Sequence, residues 1–402
     1  MSRALWQTMP GSVKLLLLTS FLMNMGFYAL IPYLTLHLTG SIGWTLAMAG
    51  LVLAVRQFSQ QGFAFLGGAV ADAFGYKGSM VLGMAVRATG FAMFAFCTET
   101  WHFFGAAVLS GLGGSLFEPA VSAAFAILTP DAIRKDVFAL KNVLSNIGVV
   151  GSQLIGTALA AVDFFWLSLL AGGLFYASAA LIFFRLPPIK ADSIRTSIVG
   201  SIVHVLKDRQ FVRYTLVLIG YYYLYMQLFL SIPKLVEDEL GDKEAVGIVL
   251  ASVSVFIILF QMKVVRLLEG YSQRFVLIGI GSLVMGIGLF LLTFANSLWI
   301  FLADAFVFAL GTMISAPQLV DMVPRFAPKE LTGAYYGFNG YSLAIGGSIG
   351  QVAGGWMYDL GQHWSCPWLP WSLCLAVGLV VAWSLYRMEE RLRLRIPRQT
   401  VV

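Results

Sequence analysis

Long apolar runs divide the chain into about twelve segments, each of the length needed to cross a membrane as a helix. About 20 residues, at 1.5 Å per residue, span the ~30 Å hydrocarbon core of a bilayer. Hydrophobic residues make up 59% of the 402 residues and charged residues only 11%, which leaves too little polar surface for a soluble protein. The sequence therefore predicts an all-α membrane protein. We place its helices at 15–37, 44–70, 79–97, 102–128, 138–162, 164–184, 211–235, 246–268, 275–295, 298–322, 333–357 and 368–386.

An internal repeat relates the first six predicted helices to the last six. A shift of 198 residues superposes Gly113 on Gly311 and Pro119 on Pro317. We therefore expect two pseudo-symmetric six-helix bundles. The polar stretch between them has apolar residues at helical spacing and a charged end, which is typical of a helix lying along a membrane surface. The predicted units are residues 1–190, a cytoplasmic linker with this amphipathic helix at 191–210, and residues 211–402.

Lysine and arginine are distributed asymmetrically between the two sides of the predicted membrane. Of the 26 basic residues, Lys234 and Lys243 lie in loops on one side, Arg56 and Arg87 lie inside helices, and the other 22 lie on the side of the two termini. The positive-inside rule places that side in the cytoplasm. This bias accounts for the net charge of +6, so the charge does not indicate nucleic-acid binding. We expect a multi-pass protein of a bacterial inner membrane with both termini cytoplasmic.

Cysteine and histidine are sparse and dispersed. The three cysteines and four histidines lack the spacing of a metal site or a disulfide framework, so no metal and no cofactor are expected. An intramembrane enzyme would need a nucleophile beside a base, and a channel would need a filter-like or charged ring. Neither pattern occurs in the sequence. Transport is therefore the favoured class of function.

A short motif lies between the second and third predicted helices, with the sequence G-G-A-V-A-D-A-F-G-Y-K. Asp72 follows Gly68 by one helical turn, and Gly75 permits a sharp turn before Lys77. The motif resembles the loop signature of the major facilitator superfamily, G-x-x-x-D-[RK]-x-G-[RK]-[RK], although Ala73 occupies a position that is usually basic. The resemblance implies a role for these residues in conformational change. The alternative is a tight loop with a capping aspartate.

Glycines recur along the fifth predicted helix at Gly148, Gly151 and Gly156. Small residues at such spacings allow helix backbones to approach closely and to slide. The pattern resembles the antiporter signature of the superfamily, g-x-x-x-G-P-x-x-G-G, with Ser152 in place of the proline and Ile155 in place of a glycine. The resemblance implies export by antiport, whereas simple helix packing is the alternative.

Glu118 lies deep in the fourth predicted helix, within the run G-G-S-L-F-E-P-A. It is about 16 residues from one end and about 10 from the other, or roughly 15–24 Å from either membrane surface. A charge at this depth is expensive unless it is paired or neutralised by a proton. Pro119 would loosen the helix beside the acid. We therefore predict that Glu118 carries the transported proton.

Arg56 lies at a comparable depth in the second predicted helix, and three glutamines follow it within five residues. The second and fourth helices are neighbours in the superfamily, so we predict that Arg56 pairs with Glu118 and takes part in proton coupling. A static ion pair that fixes the bundle is the alternative. Arg87 is expected to extend toward the membrane surface in a structural role. Asp304 and Asp321 lie near helix ends, where water or headgroups would solvate them.

Candidate residues of a substrate cavity lie in the first, second and seventh predicted helices. Four tyrosines of the seventh helix begin ten or more residues from its start, too deep for an interfacial aromatic belt. Aromatic side chains suit flat or cationic organic molecules through stacking and cation–π contact, although packing is an equal alternative. The candidates are Asn24, Gln57, Tyr221, Tyr225 and Gln227.

Four runs through the first seven helices extend the resemblance to nearly the whole chain: R-Q-F-S-Q-Q-G, G-M-A-V-R-A-T-G-F, S-G-L-G-G-S-L-F-E-P and R-Q-F-V-R-Y-T-L-V-L-I-G-Y-Y. They resemble the drug:proton antiporters of the superfamily, specifically multidrug resistance proteins of the MdtH type. One departure is Ala107, where the superfamily has an arginine. The resemblance implies a substrate site between the bundles, alternating access, and efflux of hydrophobic or cationic organic compounds in exchange for protons. We also expect a monomer among membrane lipids. A dedicated metabolite transporter or a symporter of the same fold remains the alternative.

Overall fold

The computed structural model describes residues 3–160, 163–189, 198–328 and 331–395, which form sixteen α-helices and no strands within those ranges. The prediction of an all-α membrane protein is confirmed. The helices are α1 (Arg3–Thr8), α2 (Gly11–Leu36), α3 (Leu46–Gln61), α4 (Ala64–Phe74), α5 (Tyr76–Met93), α6 (Thr100–Leu128), α7 (Arg134–Ala160), α8 (Phe164–Arg185), α9 (Ile198–Lys207), α10 (Arg209–Met226), α11 (Ser231–Leu240), α12 (Lys243–Leu268), α13 (Arg274–Leu291), α14 (Leu298–Phe326), α15 (Thr332–His363) and α16 (Leu369–Arg395).

These helices account for the twelve predicted spans. Two spans are built from consecutive helices, α3 with α4 and α10 with α11, while α1 and α9 are too short to cross a membrane. Nine spans within the described ranges are both long and apolar enough to cross on composition alone. The other three are the α3–α4 span, α7 and α15. The α3–α4 span is interrupted after Gln61, whereas α7 and α15 contain more polar residues and glycines.

Aspartate and threonine side chains cap the N-termini of several of the spanning helices. Thr45 accepts a hydrogen bond from Met48 N at the start of α3, and Asp163 accepts one from Phe165 N at the start of α8. Such caps satisfy backbone donors that have no partner inside the helix. The almost loop-free boundary predicted around Asp163 is therefore a helix start with its own cap.

The spans pack as two bundles. The principal contacts within the first are α5 with α6 and α8, α2 with α7 and α8, and α3 with α6; those within the second are α13 with α14 and α16, α10 with α15, and α12 with α14. The bundles meet along α3 against α15 and along α7 against α12. We call the end at which α2 begins and α16 finishes the near end, and the opposite end the far end. The predicted linker lies partly in residues 190–197, outside the described ranges, so its boundaries remain predictions.

Candidate functional site

A cavity of about 410 Å³ lies between the two bundles. Its wall reaches Ser122 and Lys141, which are six or seven residues from the near ends of α6 and α7. The lining combines aromatic rings with a few polar side chains, an arrangement typical of sites for small organic ligands. The lining residues used below are Asn24, Phe27, Tyr28, Arg56, Gln57, Gln60, Arg87, Phe117, Glu118, Lys141, Phe175, Tyr222, Tyr225 and Gln351.

The far end of the interface between the bundles is closed by hydrogen bonds. Asp359 of α15 accepts from the first two backbone N–H groups of α3, from Leu46 N at 2.9 Å and Ala47 N at 2.7 Å. Deeper in the interface, Ser348 Oγ donates to Ala54 O at 3.1 Å. The Asp359 carboxylate therefore caps a helix of the other bundle, where negative charge is favourable. The cavity lies between these contacts and the near end.

Glu118 forms an ion pair with Arg87 on the cavity wall. Arg87 Nη1 lies 3.3 Å from Glu118 Oε1, and Gln60 Nε2 donates to the same oxygen at 2.5 Å. The Arg87 side chain is only 2% exposed, whereas that of Glu118 is 38% exposed. The carboxylate is thus the accessible member of a pair whose cation is buried.

Phenylalanine rings surround the Arg87 guanidinium. Its Cζ lies 4.8 Å from the ring centre of Phe27, 5.3 Å from Phe91, 5.4 Å from Phe117 and 5.3 Å from Phe175. Ring faces attract a cation, and these contacts partly replace the hydration that Arg87 lacks. The expectation that Arg87 extends to the membrane surface is therefore wrong, because rings from α2, α6 and α8 surround its guanidinium inside the bundle.

The predicted direct pair between Arg56 and Glu118 is also wrong. Arg56 Nη1 donates to Gln60 Oε1 at 2.8 Å, and Nη2 donates to Gln57 Oε1 at 2.9 Å. Gln60 lies one turn further along the same helix and uses its amide nitrogen to reach Glu118. Arg56 is therefore linked to the acid through Gln60, in a chain that runs Arg56, Gln60, Glu118, Arg87.

The predicted cavity residues fall into two groups. Asn24, Gln57 and Tyr225 line the cavity. Tyr221 does not, because its hydroxyl accepts a hydrogen bond from Ser315 inside the second bundle. Gln227 is buried as well and donates to Gly350 O at 2.9 Å. These two residues lie outside the lining of this cavity, and their contact with substrate remains a prediction.

The sequence analysis missed Tyr222, Lys141 and Gln351, which all line the cavity. Tyr222 could have been found, because it lies three residues before Tyr225 and the two therefore share a helical face. Lys141 and Gln351 had no comparable signal, since each is a single polar residue on a helix whose rotation depends on its neighbours.

The loop motif forms the end of α4 and the start of α5. Gly75 lies between them with φ of +90°, a backbone conformation that favours glycine. Lys77 Nζ lies 5.7 Å from the ring centre of Phe183, and Gly68 faces Pro119. The side chain of Asp72 lies outside the described part of the structure. The conformational role of the four residues remains a prediction.

The glycines of α7 differ in what surrounds them. A Cβ added at Gly156 would lie 2.6 Å from the Tyr33 ring and 2.9 Å from Ala29 O, and one at Gly148 would lie 3.3 Å from the Phe21 ring. At Gly151 no atom lies within 4 Å of the added carbon. Gly148 and Gly156 therefore allow α7 to approach α2, whereas Gly151 has no packing role among the described residues.

The two aspartates of α14 differ in environment. Asp321 forms an ion pair with Arg325 at 2.8 Å near the end of the helix, where solvation was expected. Asp304 is only 3% exposed, and its Oδ1 has no hydrogen-bond partner among the described residues. The expectation that water or headgroups solvate Asp304 is therefore wrong, because α14 turns this residue toward Gly288 of α13.

Two six-helix bundles around a cavity that is closed at the far end, with an accessible carboxylate in its wall, define a membrane transporter of the secondary type. The family model of the Major Facilitator Superfamily matches residues 16–241 and 214–400. The chain therefore belongs to the Major Facilitator Superfamily, as its motifs predicted, and it is a multi-pass inner-membrane transporter.

Its curated relatives include proteins named multidrug resistance protein MdtH. That of Yersinia enterocolitica is 34% identical over 374 residues, and that of Edwardsiella ictaluri is 33% identical over 371 residues. Each match covers 92% of this chain and 92% of the relative. The predicted resemblance to the MdtH type is confirmed, and the chain is a multidrug-resistance member of the superfamily.

Solved structures of two other transporters share the fold. A POT family transporter in complex with 5-aminolevulinic acid superposes with a TM-score of 0.80 at 13% identity, covering 95% of this chain and 99% of that one. The nucleoside transporter NupG superposes with a TM-score of 0.78 at 14% identity, covering 94% and 99%. At these identities the likeness extends to the fold alone.

Proposed function

We propose that the protein exports hydrophobic and aromatic organic compounds, including cationic ones, in exchange for protons, and that Glu118 carries the proton. The observation that carries the proposal is the position of the Glu118 carboxylate, in the cavity wall and paired with a buried arginine. It is exposed enough to meet a proton or a substrate entering the cavity. The multidrug resistance name of the relatives supports a broad range of substrates.

Protonation of Glu118 would change the charge of the cavity by one unit. Arg56, Arg87 and Lys141 supply three positive charges to the lining, and Glu118 is the acid among the described lining residues. When Glu118 takes up a proton, a cationic compound in the cavity loses its counter-charge while the three positive charges remain. The proton and the cation therefore compete, which is the requirement for exchange.

Neutral compounds would be held mainly by aromatic contact. Phe27, Tyr222 and Tyr225 contribute ring surface to the cavity, and burial of apolar area on such rings favours binding independently of charge. For these compounds protonation would act through the ion pair. Loss of the bond between Glu118 and Arg87 would bias the equilibrium between the two arrangements of the bundles.

Loading would take place from the cytoplasm if both termini are cytoplasmic, as the distribution of basic residues predicts. The cavity extends toward the near end, where α2 begins and α16 finishes. Release to the other side would require the far-end hydrogen bonds of Asp359 to break as the bundles rock. The close contact of α7 with α2 at Gly156 would let those two helices move together.

The test uses inverted membrane vesicles with a proton gradient and the variant Glu118→Gln. We expect wild-type protein to release protons when an aromatic substrate is added, and Glu118→Gln to release none although it is inserted normally. Glu269→Gln removes an exposed acid at the end of α12, outside the cavity, and serves as the matched control. Normal substrate-driven proton release by Glu118→Gln would disprove the proposal.

The same variant distinguishes the two modes of binding. With a matched pair of aromatic probes that differ in one permanent positive charge, Glu118→Gln should lose affinity for the cationic probe and keep most of its affinity for the neutral one. Equal losses for both probes would show that Glu118 does not act as the counter-charge.

A further inference from the structure

A second cavity lies on the membrane-facing surface, between the near ends of α10 and α16. It has a volume of about 520 Å³ and is separate from the cavity between the bundles. The two helices approach closely further from the near end, where a Cβ added at Gly220 would lie 2.5 Å from Val381 Cγ2. The groove occupies the space between them on the near-end side of this contact. Its lining residues are Arg213, Leu216, Val217, Trp383, Ser384, Arg387, Met388 and Arg391.

Three arginines give the groove a concentrated positive charge. Arg387 and Arg391 are four residues apart on α16 and so share one face, and Arg213 faces them from α10. Arg387 has a partial partner in Glu390, with Nη1 lying 3.5 Å from Oε2. Arg213 and Arg391 form no ion pair with any described residue. Like charges gathered in this way repel one another unless an anion lies among them.

Apolar side chains continue the groove toward the membrane interior. Trp383 lies one turn before Arg387 and is 62% exposed, and Leu216 lies one turn after Arg213 and is 57% exposed. Arg387 Cζ lies 5.6 Å from the Trp383 ring centre. Tryptophan is typical of the level of lipid headgroups, and apolar surface beyond it faces acyl chains. The groove is therefore cationic near its outer end and apolar further in.

We propose that this groove binds one anionic phospholipid, with its phosphate among Arg213, Arg387 and Arg391 and its acyl chains along Leu216 and Trp383. Guanidinium groups match the geometry of a phosphate oxygen pair. Basic pockets between membrane helices on the cytoplasmic side bind anionic headgroups. A free phosphate ion would use the arginines alone and leave the exposed apolar part uncovered, so the combined lining favours a lipid.

The test is native mass spectrometry of the full-length protein, with phosphatidylglycerol compared against phosphatidylcholine of the same acyl chains. We expect wild-type protein to bind phosphatidylglycerol more tightly. The variant Arg213→Gln/Arg391→Gln should weaken that binding about 25-fold, the equivalent of about 1 kcal/mol for each arginine. Binding of phosphatidylcholine should change much less, because its headgroup has no net charge.

The matched control is Lys263→Gln/Arg266→Gln, which removes two exposed positive charges near the near end of α12, outside the groove. It should retain the wild-type affinity for phosphatidylglycerol. An equal loss in the control, or no loss in the groove variant, would overturn the proposal in favour of general surface attraction. Full displacement of the lipid by inorganic phosphate at matched concentration would show a phosphate site instead.

Discussion

The helix pair α5–α6 of the first bundle and the pair α13–α14 of the second are packed in the same way but differ in charge. A Cβ added at Gly113 of α6 would meet the backbone of Gly83 and Arg87 on α5. A Cβ added at Gly311 of α14 would meet Gly281 O at 2.6 Å and Met285 on α13. Each contact partner in the second bundle lies 198 residues after its counterpart, so the internal repeat of the sequence is also a repeat of close helix packing.

The side chains beside these glycines are not repeated. By the same shift of 198 residues, Arg87 corresponds to Met285 and Glu118 corresponds to Ala316. Glu118 and Ala316 each lie directly before a proline, Pro119 and Pro317. Met285 is fully buried in the position where the first bundle holds a guanidinium. The apolar residues Met285 and Ala316 therefore suffice for the close packing of α13 against α14. Because a buried ion pair is often no more stabilising than apolar residues of similar size, the charges in the first bundle are better explained by transport than by stability.

The largest expected effect comes from giving α5 the residue that α13 has, through Arg87→Met. We expect loss of substrate-driven proton release and a fall in unfolding free energy of about 2 kcal/mol. Removal of one partner of a fully buried pair costs about 3–5 kcal/mol, and the cost is smaller here because water reaches the Glu118 side chain, which is 38% exposed. Thermal unfolding in detergent and the vesicle assay measure the two effects. The control is Arg325→Met, which removes an exposed partner of Asp321 in the second bundle and should cost less than about 1 kcal/mol.

The double variant Arg87→Met/Glu118→Ala completes the conversion to the second bundle's pattern. We expect it to recover part of the unfolding temperature that Arg87→Met loses, because both members of the Arg87–Glu118 pair are removed and neither is left without the other, while proton-coupled transport stays absent. A double variant as unstable as Arg87→Met alone would mean that the ion pair holds the first bundle together, and the two bundles would then differ in how they are stabilised.

The comparison also explains how far the sequence could predict the site. The apolar runs and the repeat predicted twelve spans and two sets of six, because length and spacing along a helix determine both. Glu118 could be identified because an acid in the middle of an apolar span is costly unless it is paired or protonated, which makes a structural accident an unsatisfactory explanation. Its partner could not, since Arg56 and Arg87 are both inside helices, and the choice between them depends on how α5 is rotated against α6. That rotation is fixed by the contact between Gly83 and Gly113, which no linear spacing shows.

A smaller effect is expected from the glycines that the two bundles share. Gly113→Ala and Gly311→Ala would each place a methyl group against the backbone of the neighbouring helix, so both should lower the unfolding free energy by about 1–3 kcal/mol. Gly151→Ala is the control, because no atom lies within 4 Å of the added carbon and the helix itself gains about 0.5–1 kcal/mol. If Gly311→Ala were harmless while Gly113→Ala was not, the packing would differ between the bundles despite its matching geometry.

The smallest expected effect concerns the far end, where the bundles are joined. Asp359 caps α3 across the interface, whereas Asp242 caps α12 within one bundle, accepting from Glu244 N at 2.7 Å. Asp359→Asn keeps one acceptor oxygen but puts an NH2 group, which cannot accept, in place of the other. It therefore removes one of the two hydrogen bonds to α3 together with the attraction of the charge for the helix start, a loss of about 1 kcal/mol. That energy corresponds to a shift of up to about fivefold toward the arrangement with an open far end.

Spin labels at Thr98 and Asn296, exposed positions in the far-end loops of the two bundles, would report this shift in a background without native cysteine. Asp359→Asn should increase the fraction of long distances, and Asp242→Asn should leave the distribution unchanged because its cap does not cross the interface. An identical distance distribution in wild-type protein and Asp359→Asn would mean that Asp359 contributes nothing to the balance between the two arrangements of the bundles. The closed far end would then be held by side-chain packing and by hydrogen bonds such as that from Ser348 Oγ to Ala54 O.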